Sequence, residues 1–307
     1  MIKIGFPVPE ASDDEIRQLE KMGADSLWST GHLWMDGPCP EAITALARIG
    51  FLTESVEVGT SVLVLPIYPP MIVAKMIAEL DRMLGGRVLL GIGVGGEYEP
   101  EFESTGVPVS ERGARTDESV DILKRLWGGG RVDFEAKYGG MHLKDFELAP
   151  LPARVGGPPI VVGGRAPQAM RRAARTDGWQ PMNYTPKRYA ASVDTIREHA
   201  ETLGRDLDGF FWGIGGFVII TGDVKKARED ALAWMASRAH PMDPAVFERI
   251  SIAGDVDAVA ERMAEFVDAG VRHFSVSPAI PAELLSCAEA LIGDVLPQLQ
   301  RHLGSKP

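Results

Sequence analysis

The 307-residue sequence is 45% hydrophobic, enough to build a core for one large domain or two small ones, and its formal net charge of −11 argues against a nucleic-acid partner. Its two cysteines, Cys39 and Cys287, form no CxxC pair, so neither a disulfide framework nor a zinc cluster is expected. The longest apolar stretch, residues 210–220, falls short of the roughly 20 residues that cross a bilayer, and a strand opening at Ile2 leaves no room for a leader. The expectation is a cytoplasmic protein with no membrane partner.

In chain order, residues 2–7 predict a strand, and Ser12 followed by Asp13, Asp14 and Glu15 predicts a capped helix that stops at Gly23. Residues 25–30 predict a second strand, and a helix is expected over about 40–55. Val62, Leu63, Val64 and Leu65 make a continuous apolar run, as do Val88, Leu89, Leu90 and Ile92. Runs without alternation suit strands buried on both faces, the habit of parallel sheets. Pro69 and Pro70 open the intervening helix and Gly85 and Gly86 close it, which gives a βαβ unit. Residues 97–103 read as a loop and 110–127 as a helix. Residues 131–157 read as a hairpin and proline-rich connection inserted between the fourth and fifth strands. Strands are then expected over 159–162, 178–182, 210–220 and 271–277, with helices over 167–176, 186–203, 223–239, 255–269 and 281–303 and a linker near 241–251.

Eight strands alternating with helices make an α/β (β/α)₈ TIM barrel the leading architecture, read as a single domain over residues 1–307; a doubly wound open sheet is the other arrangement the count allows. In either, ligands meet the C-terminal ends of the strands.

Gly91, Gly93 and Gly96 satisfy G-x-G-x-x-G after a strand, but Glu97, Glu99 and Glu101 follow where a diphosphate would sit, so a dinucleotide site is disfavoured against a glycine loop that admits a flat ring. Gly163, Gly164 and Arg165 lie between a strand and a helix; they suit a phosphate, or simply a tight turn. Between residues 151 and 205 nine basic residues stand against four acidic ones, either solvated helix faces or a landing site for an anion. His32 lies just past the second strand, placed for general acid–base chemistry or for a structural hydrogen bond. Arg112, Arg115, Asp117 and Glu118 are expected to pin the 97–103 loop through ion pairs. Trp28, Trp34, Tyr68, Tyr98 and Trp179 flank strand ends and suggest an aromatic-walled pocket. No metal-ligand spacing is present, and no metal is expected.

The segments at 23–32 (GADSLWSTGH), 58–102 (VGTSVLVLPIYPP through GIGVGGEYEPEF), 111–127, 158–179 (PPIVVGGRAPQAMRRAARTDGW) and 254–274 together resemble the bacterial-luciferase-like flavin and deazaflavin oxidoreductases, and most of all the branch using coenzyme F420. The resemblance implies a TIM barrel with an insertion between strands four and five, and a ring bound at the C-terminal mouth. It implies a cis peptide at Ser61–Val62 against the ring, with Val94, Gly95 and the loop up to Glu97 lining it. It places the cofactor phosphate at Gly163, Gly164 and Arg165, the catalytic histidine at His32, and a loop glutamate acting as acid at Glu97. Deazaflavin members commonly carry Asp before that histidine, where this chain has Gly31. The activity so implied is hydride transfer between F420 and a small organic substrate, with His32 handling the proton and the basic 151–205 region suiting phosphate and glutamate tail. The alternatives are a monooxygenase using reduced FMN and oxygen, with a separate reductase as partner, and a non-enzymatic flavin-binding protein. A homodimer is implied, and a substrate pocket is expected from residues 33–40, 131–150 and 241–250.

Overall fold

The structure is a computed structural model that describes residues 1–34, 39–237 and 242–305. The first half of the chain gives β1 (Lys3–Pro7), α1 (Asp13–Met22), β2 (Ser26–Gly31), α2 (Ala42–Leu52), β3 (Glu57–Val64), α3 (Pro70–Met83), β4 (Val88–Gly93), α4 (Glu99–Thr105), α5 (Arg112–Trp127), β5 (Arg131–Glu135) and β6 (His142–Glu147). The second half gives β7 (Ile160–Val162), α6 (Pro167–Ala173), β8 (Gly178–Trp179), α7 (Pro186–Thr202), β9 (Phe211–Ile220), α8 (Val224–Ser237), α9 (Pro244–Ile250), β10 (Ile252–Gly254), α10 (Val256–Asp268), β11 (His273–Pro278), α11 (Leu284–Ala290) and α12 (Leu296–Gly304). Strands β1–β4, β7–β9 and β11 are the eight strands of a (β/α)₈ barrel, with the β5–β6 hairpin inserted between the fourth and fifth of them.

The residues group into two compact units, one of 1–28 with 161–307 and one of 29–160. In the first, β11 pairs in parallel with β1 and with β9, and β9 in turn pairs with β8 and β10. In the second, β3 and β4 pair in parallel with a register shift between Gly59 and Leu63. The apolar runs are largely buried as double-sided strands require: all of Val88–Ile92 is buried, and so are Leu63, Val64 and Leu65, while Val62 at the head of that run is half-exposed. Local signals set the helix ends. Ser12 and Glu15 form a reciprocal capping box on α1, and Gly23 closes that helix in the left-handed conformation at φ 97°. Arg87, just before β4, donates to the carbonyls of Gly50, Thr53, Val56 and Leu84, so one guanidinium satisfies orphan carbonyls near the ends of both α2 and α3.

The structure departs from the sequence reading in four places. The 97–103 loop contains α4, opened by Pro100 in its first turn. The linker near 241–251 contains α9, capped by Asp243, and leads directly into β10, whose residues 252–254 extend the sheet along β9. The sixth barrel strand is only two residues long, with Met182 keeping an isolated bridge to Gly215. The last helix divides into α11, a π turn over Leu291–Val295 and α12, because Pro297 lacks the N–H that would reach the carbonyl of Gly293. Residues 238 and 239, expected to end α8, lie outside the described residues.

Candidate active site

His32 follows Gly31, the last residue of β2. A Cβ at Gly31 would lie 2.1 Å from Ala42 Cβ at the start of α2, so no side chain fits at the position where an aspartate was expected. The carboxylate comes instead from α4. Glu101 is fully buried, its Oε2 lies 3.2 Å from His32 Nδ1, and its Oε1 accepts the Leu33 N–H at 2.6 Å. Two oxygens held by two consecutive residues fix both the carboxylate and the ring it faces. With Nδ1 turned to Glu101, the ring's Nε2 is the atom left for a ligand, and 27% of the His32 side chain stays exposed. Glu97, the carboxylate singled out in the sequence, is exposed and stands two residues ahead of α4. The glutamate beside the histidine is therefore Glu101, one helical turn later.

One aromatic ring packs directly against the pair. Tyr98 meets His32 edge-on at 5.1 Å and Trp34 at 5.9 Å. Tyr68 donates to Glu41 Oε1 at 2.9 Å; burial first, and then the charge and hydrogen bond of Glu41, push its pKa far up and keep the phenol protonated. Burial alone would raise the pKa of Glu41, but hydrogen bonds from the Ile43 and Thr44 amides, the Thr44 hydroxyl and Tyr68 outweigh it and hold it below the ordinary carboxylate value. The half-buried Cys39 donates to the His32 carbonyl, and burial raises its pKa. Trp28 and Trp179 belong elsewhere: both are fully buried in the core.

In the same unit, Ser61–Val62 is a cis peptide. It lies within the register shift of β3, and Ser61 and Val62 are half-exposed in a strand whose neighbours are buried. The glycine series after them is a packing device. A Cβ on Gly91 would stand 1.8 Å from the Thr60 carbonyl oxygen and one on Gly93 2.5 Å from Val62 Cγ2. Val94 and Gly95 are half-exposed beyond them. Gly93 packs against Val62 and Gly95 against Val64 and Phe102, so neither position has room for a side chain on that side. Of the arginine and acid group on α5, two members serve another purpose than expected: Arg115 pairs with Glu111 at 2.8 Å, and Glu118 accepts the backbone N–H groups of Lys137 and Tyr138, which pins the inserted hairpin; Arg112 lies against Gly96, just ahead of the 97–103 segment.

In the other unit, Gly163, Gly164 and Arg165 follow β7, with Gly164 at φ 97° and Arg165 exposed. Trp179 Nε1 donates to the Gly164 carbonyl at 3.1 Å and the Tyr184 hydroxyl to the Arg165 carbonyl at 3.4 Å, so the orientation of the turn is set by two core aromatics. Of the expected substrate-pocket segments, residues 35–38 and 241 lie outside the described residues. Among the described residues, no group of three or more His, Cys, Asp or Glu gathers as metal ligands, and no helix is long and apolar enough to cross a membrane.

A parallel α/β barrel with a carboxylate–imidazole pair just past a strand end defines the class. The model of the luciferase-like monooxygenase family matches residues 8–273, and the chain belongs to that family. It is 32% identical over 288 aligned positions to the F420-dependent glucose-6-phosphate dehydrogenase of Microbacterium testaceum, covering 83% of each chain. It is 30% identical over 319 positions to the enzyme of that name from Nakamurella multipartita, covering 93% of this chain and 91% of that one. An uncharacterized protein of Mycobacterium tuberculosis is 36% identical over 187 residues, a match that spans 58% of this chain and 63% of the length of that relative. Among solved structures, an F420-dependent secondary alcohol dehydrogenase in complex with an F420–acetone adduct superposes with a TM-score of 0.85 at 20% identity over 97% of this chain and 99% of that one. The F420-dependent tetrahydromethanopterin reductase of Methanopyrus kandleri superposes at 0.76 with 21% identity, over 97% and 99%. These likenesses show the fold.

Proposed function

We propose that the chain is an oxidoreductase that uses coenzyme F420 to transfer a hydride to or from a small alcohol or carbonyl substrate. The observation that carries this reading is the His32–Glu101 pair, a base oriented through Nδ1 with Nε2 facing outward. The curated relatives that match most of the chain are named as F420-dependent dehydrogenases, which supports the same cofactor.

The residues fit such a group. The half-exposed Ser61–Val62 segment and the side-chain-poor backbone at Gly93–Gly95 would hold a flat ring, and Gly163, Gly164 and Arg165 would hold its phosphate. When bound, the deazaflavin supplies a ring carbon that exchanges a hydride. His32 Nε2 takes the hydroxyl proton of an alcohol during oxidation, or returns one to the carbonyl oxygen during reduction. Glu101 keeps Nδ1 protonated and the ring in place, and stabilises the imidazolium that forms. Tyr98 packs edge-on against the ring and limits its movement, and Trp34 packs in turn against Tyr98. Glu97 serves no proton step in this scheme.

A homodimer belongs to the same proposal: Ile72, Met76 and Met83 on α3 and Phe51 on α2 are exposed apolar side chains that a second copy would cover, and sedimentation of the purified protein reads the mass.

Parallel titration with F420 and FMN, each oxidised and reduced and followed by fluorescence, tests the reading. Tight binding of F420 alone is expected. Preference for reduced FMN with oxygen consumption would replace it by a monooxygenase, and binding of F420 without turnover of any alcohol or carbonyl would reduce it to a binding protein.

A further inference from the structure

Glu101 is fully buried, and taking a carboxylate out of water is a cost that its surroundings must offset. The helix that carries it cannot do so by itself. α4 has seven residues and no side-chain cap at its N-terminus, and glycines in the left-handed conformation stand on both sides of it, Gly96 at φ 107° and Gly106 at φ 68°. So short a helix takes its position from packing and not from its own hydrogen bonds. Over residues 97–106 only Glu101 and Phe102 are buried, so the apolar force that docks α4 comes from Phe102.

The Phe102 ring packs with Val64 and Ile67, and Tyr68, Val107 and Val109 pack around them. It also closes on the loop after β4: a Cβ at Gly95 would meet Phe102 Cε2 at 3.3 Å and Val64 Cγ1 at 2.5 Å. One ring thus reaches from the end of β3 to the loop after β4. The residue before it holds His32 Nδ1 with one oxygen and the Leu33 N–H with the other. Whatever moves Phe102 moves the carboxylate beside it.

Other titratable groups stand near the pair. Tyr98 meets the imidazole edge-on, Cys39 donates to the His32 carbonyl, and Tyr68, held by Glu41, interacts with the charge of Glu101. Burial keeps Cys39 and Tyr68 protonated, so among the described residues Glu101 is the charge in contact with the ring. We propose that Phe102 is a positioning residue for the proton step: packed against Gly95 and Val64, it docks α4 and thereby holds Glu101 on His32 Nδ1. It moves no proton and acts through Glu101. The inference deepens the proposed function and rests on its assignment of the proton transfer to His32.

Two measurements on the full chain test it. In the first, the protein without cofactor is treated with diethyl pyrocarbonate across a pH series, and modification of His32 is read by peptide mass. A carboxylate partner favours the protonated imidazole, so the pH midpoint of the reaction should fall in Glu101→Gln. It should fall in the same direction, by a smaller amount, in Phe102→Ala, and return most of the way in Phe102→Leu, which refills much of the space. Phe266→Leu, a buried ring replaced on α10, controls for general loosening and should leave the midpoint where it is. Circular dichroism checks that each variant is folded, and Phe102→Val replaces Phe102→Ala if the latter is not. A midpoint that stays put in Glu101→Gln or in Phe102→Ala overturns the proposal, as does an equal shift in Phe266→Leu.

The second is a double-mutant cycle in turnover with F420. Phe102→Ala should lower turnover roughly 10- to 100-fold, the scale of a misplaced group. In the Glu101→Gln background it should cost less than about threefold more, because a residue that acts through Glu101 has nothing left to position. Equal losses in both backgrounds overturn the proposal. If F420 does not bind while the His32 midpoint still follows Phe102, the positioning role stands and the cofactor reading falls.

Discussion

Two histidines of this chain occupy opposite ends of their strands and show how a partner decides what an imidazole can do. His273 is the first residue of β11 and 3% exposed. Its Nε2 lies 2.7 Å from Ser26 Oγ, which also accepts the Trp28 indole N–H at 2.7 Å and so has its own hydrogen to give to the ring. Burial first, and then the charge of Lys3, push the His273 pKa down to about 3. His32 stands past the end of β2, partly open to solvent and against a buried carboxylate. A hydroxyl partner in a dry site keeps the His273 ring neutral, whereas the His32 ring meets a carboxylate at the edge of solvent. Position in the strand and the charge of one neighbour separate a structural histidine from the one proposed to move a proton.

The largest effect expected from this contrast is on stability. The unfolded state of His273 titrates near 6.5 and the folded state near 3, so between those values the unfolded chain binds the extra proton. The stabilisation is fully present above pH 6.5 and is lost as pH falls toward 3, by on the order of 5 kcal/mol across the whole window. Urea unfolding at stepped pH should show this slope in wild type and a flatter one in His273→Asn; equal slopes would contradict the buried neutral ring. His32→Ala should lower turnover by roughly 10²- to 10⁴-fold while F420 binding, read by fluorescence, changes little. Turnover at the wild-type rate would move His32 into the structural class with His273.

Gly31→Ala asks whether the strand end next to His32 has room. Its Cβ would meet Ala42 Cβ at 2.1 Å, so a loss of about 1–3 kcal/mol in thermal or urea unfolding is expected, and an unaffected midpoint would show that α2 yields. The smallest change is Tyr68→Phe. Glu41 keeps its donors from Ile43 and Thr44, so removing the phenol should cost about 1 kcal/mol or less and leave turnover near wild type. A large loss of activity would bring the Tyr68–Glu41 pair into the proton path.

Much of this arrangement is readable before any coordinates. Uninterrupted apolar runs such as Val88–Ile92 and the capping signals at Ser12 and Gly23 mark elements whose local chemistry agrees with their place in the fold. The partner of His32 is different. Glu101 sits among Glu97, Glu99 and Glu103, and nothing in residue type distinguishes the four; only α4 turns Glu101 and Phe102 inward and leaves Glu97 outside. Pro100 in the first turn and the buried Phe102 are the available hints of that helix. The long-range placement of a carboxylate 69 positions from its histidine is a property of packing, and no local pattern encodes it. The same holds for α9, which forms within what reads as a linker and buries Phe247.

The inserted hairpin is held by Glu118 through the backbone amides of Lys137 and Tyr138, groups that every residue other than proline possesses. Its strands β5 and β6 alternate exposed and half-buried residues, and its own core is slight. An anchor blind to side-chain identity frees the insert to change its exposed residues without coming loose. The hairpin is thus a replaceable fitting on a fixed mount, and variation there can alter what the protein meets while the barrel beneath it stays the same.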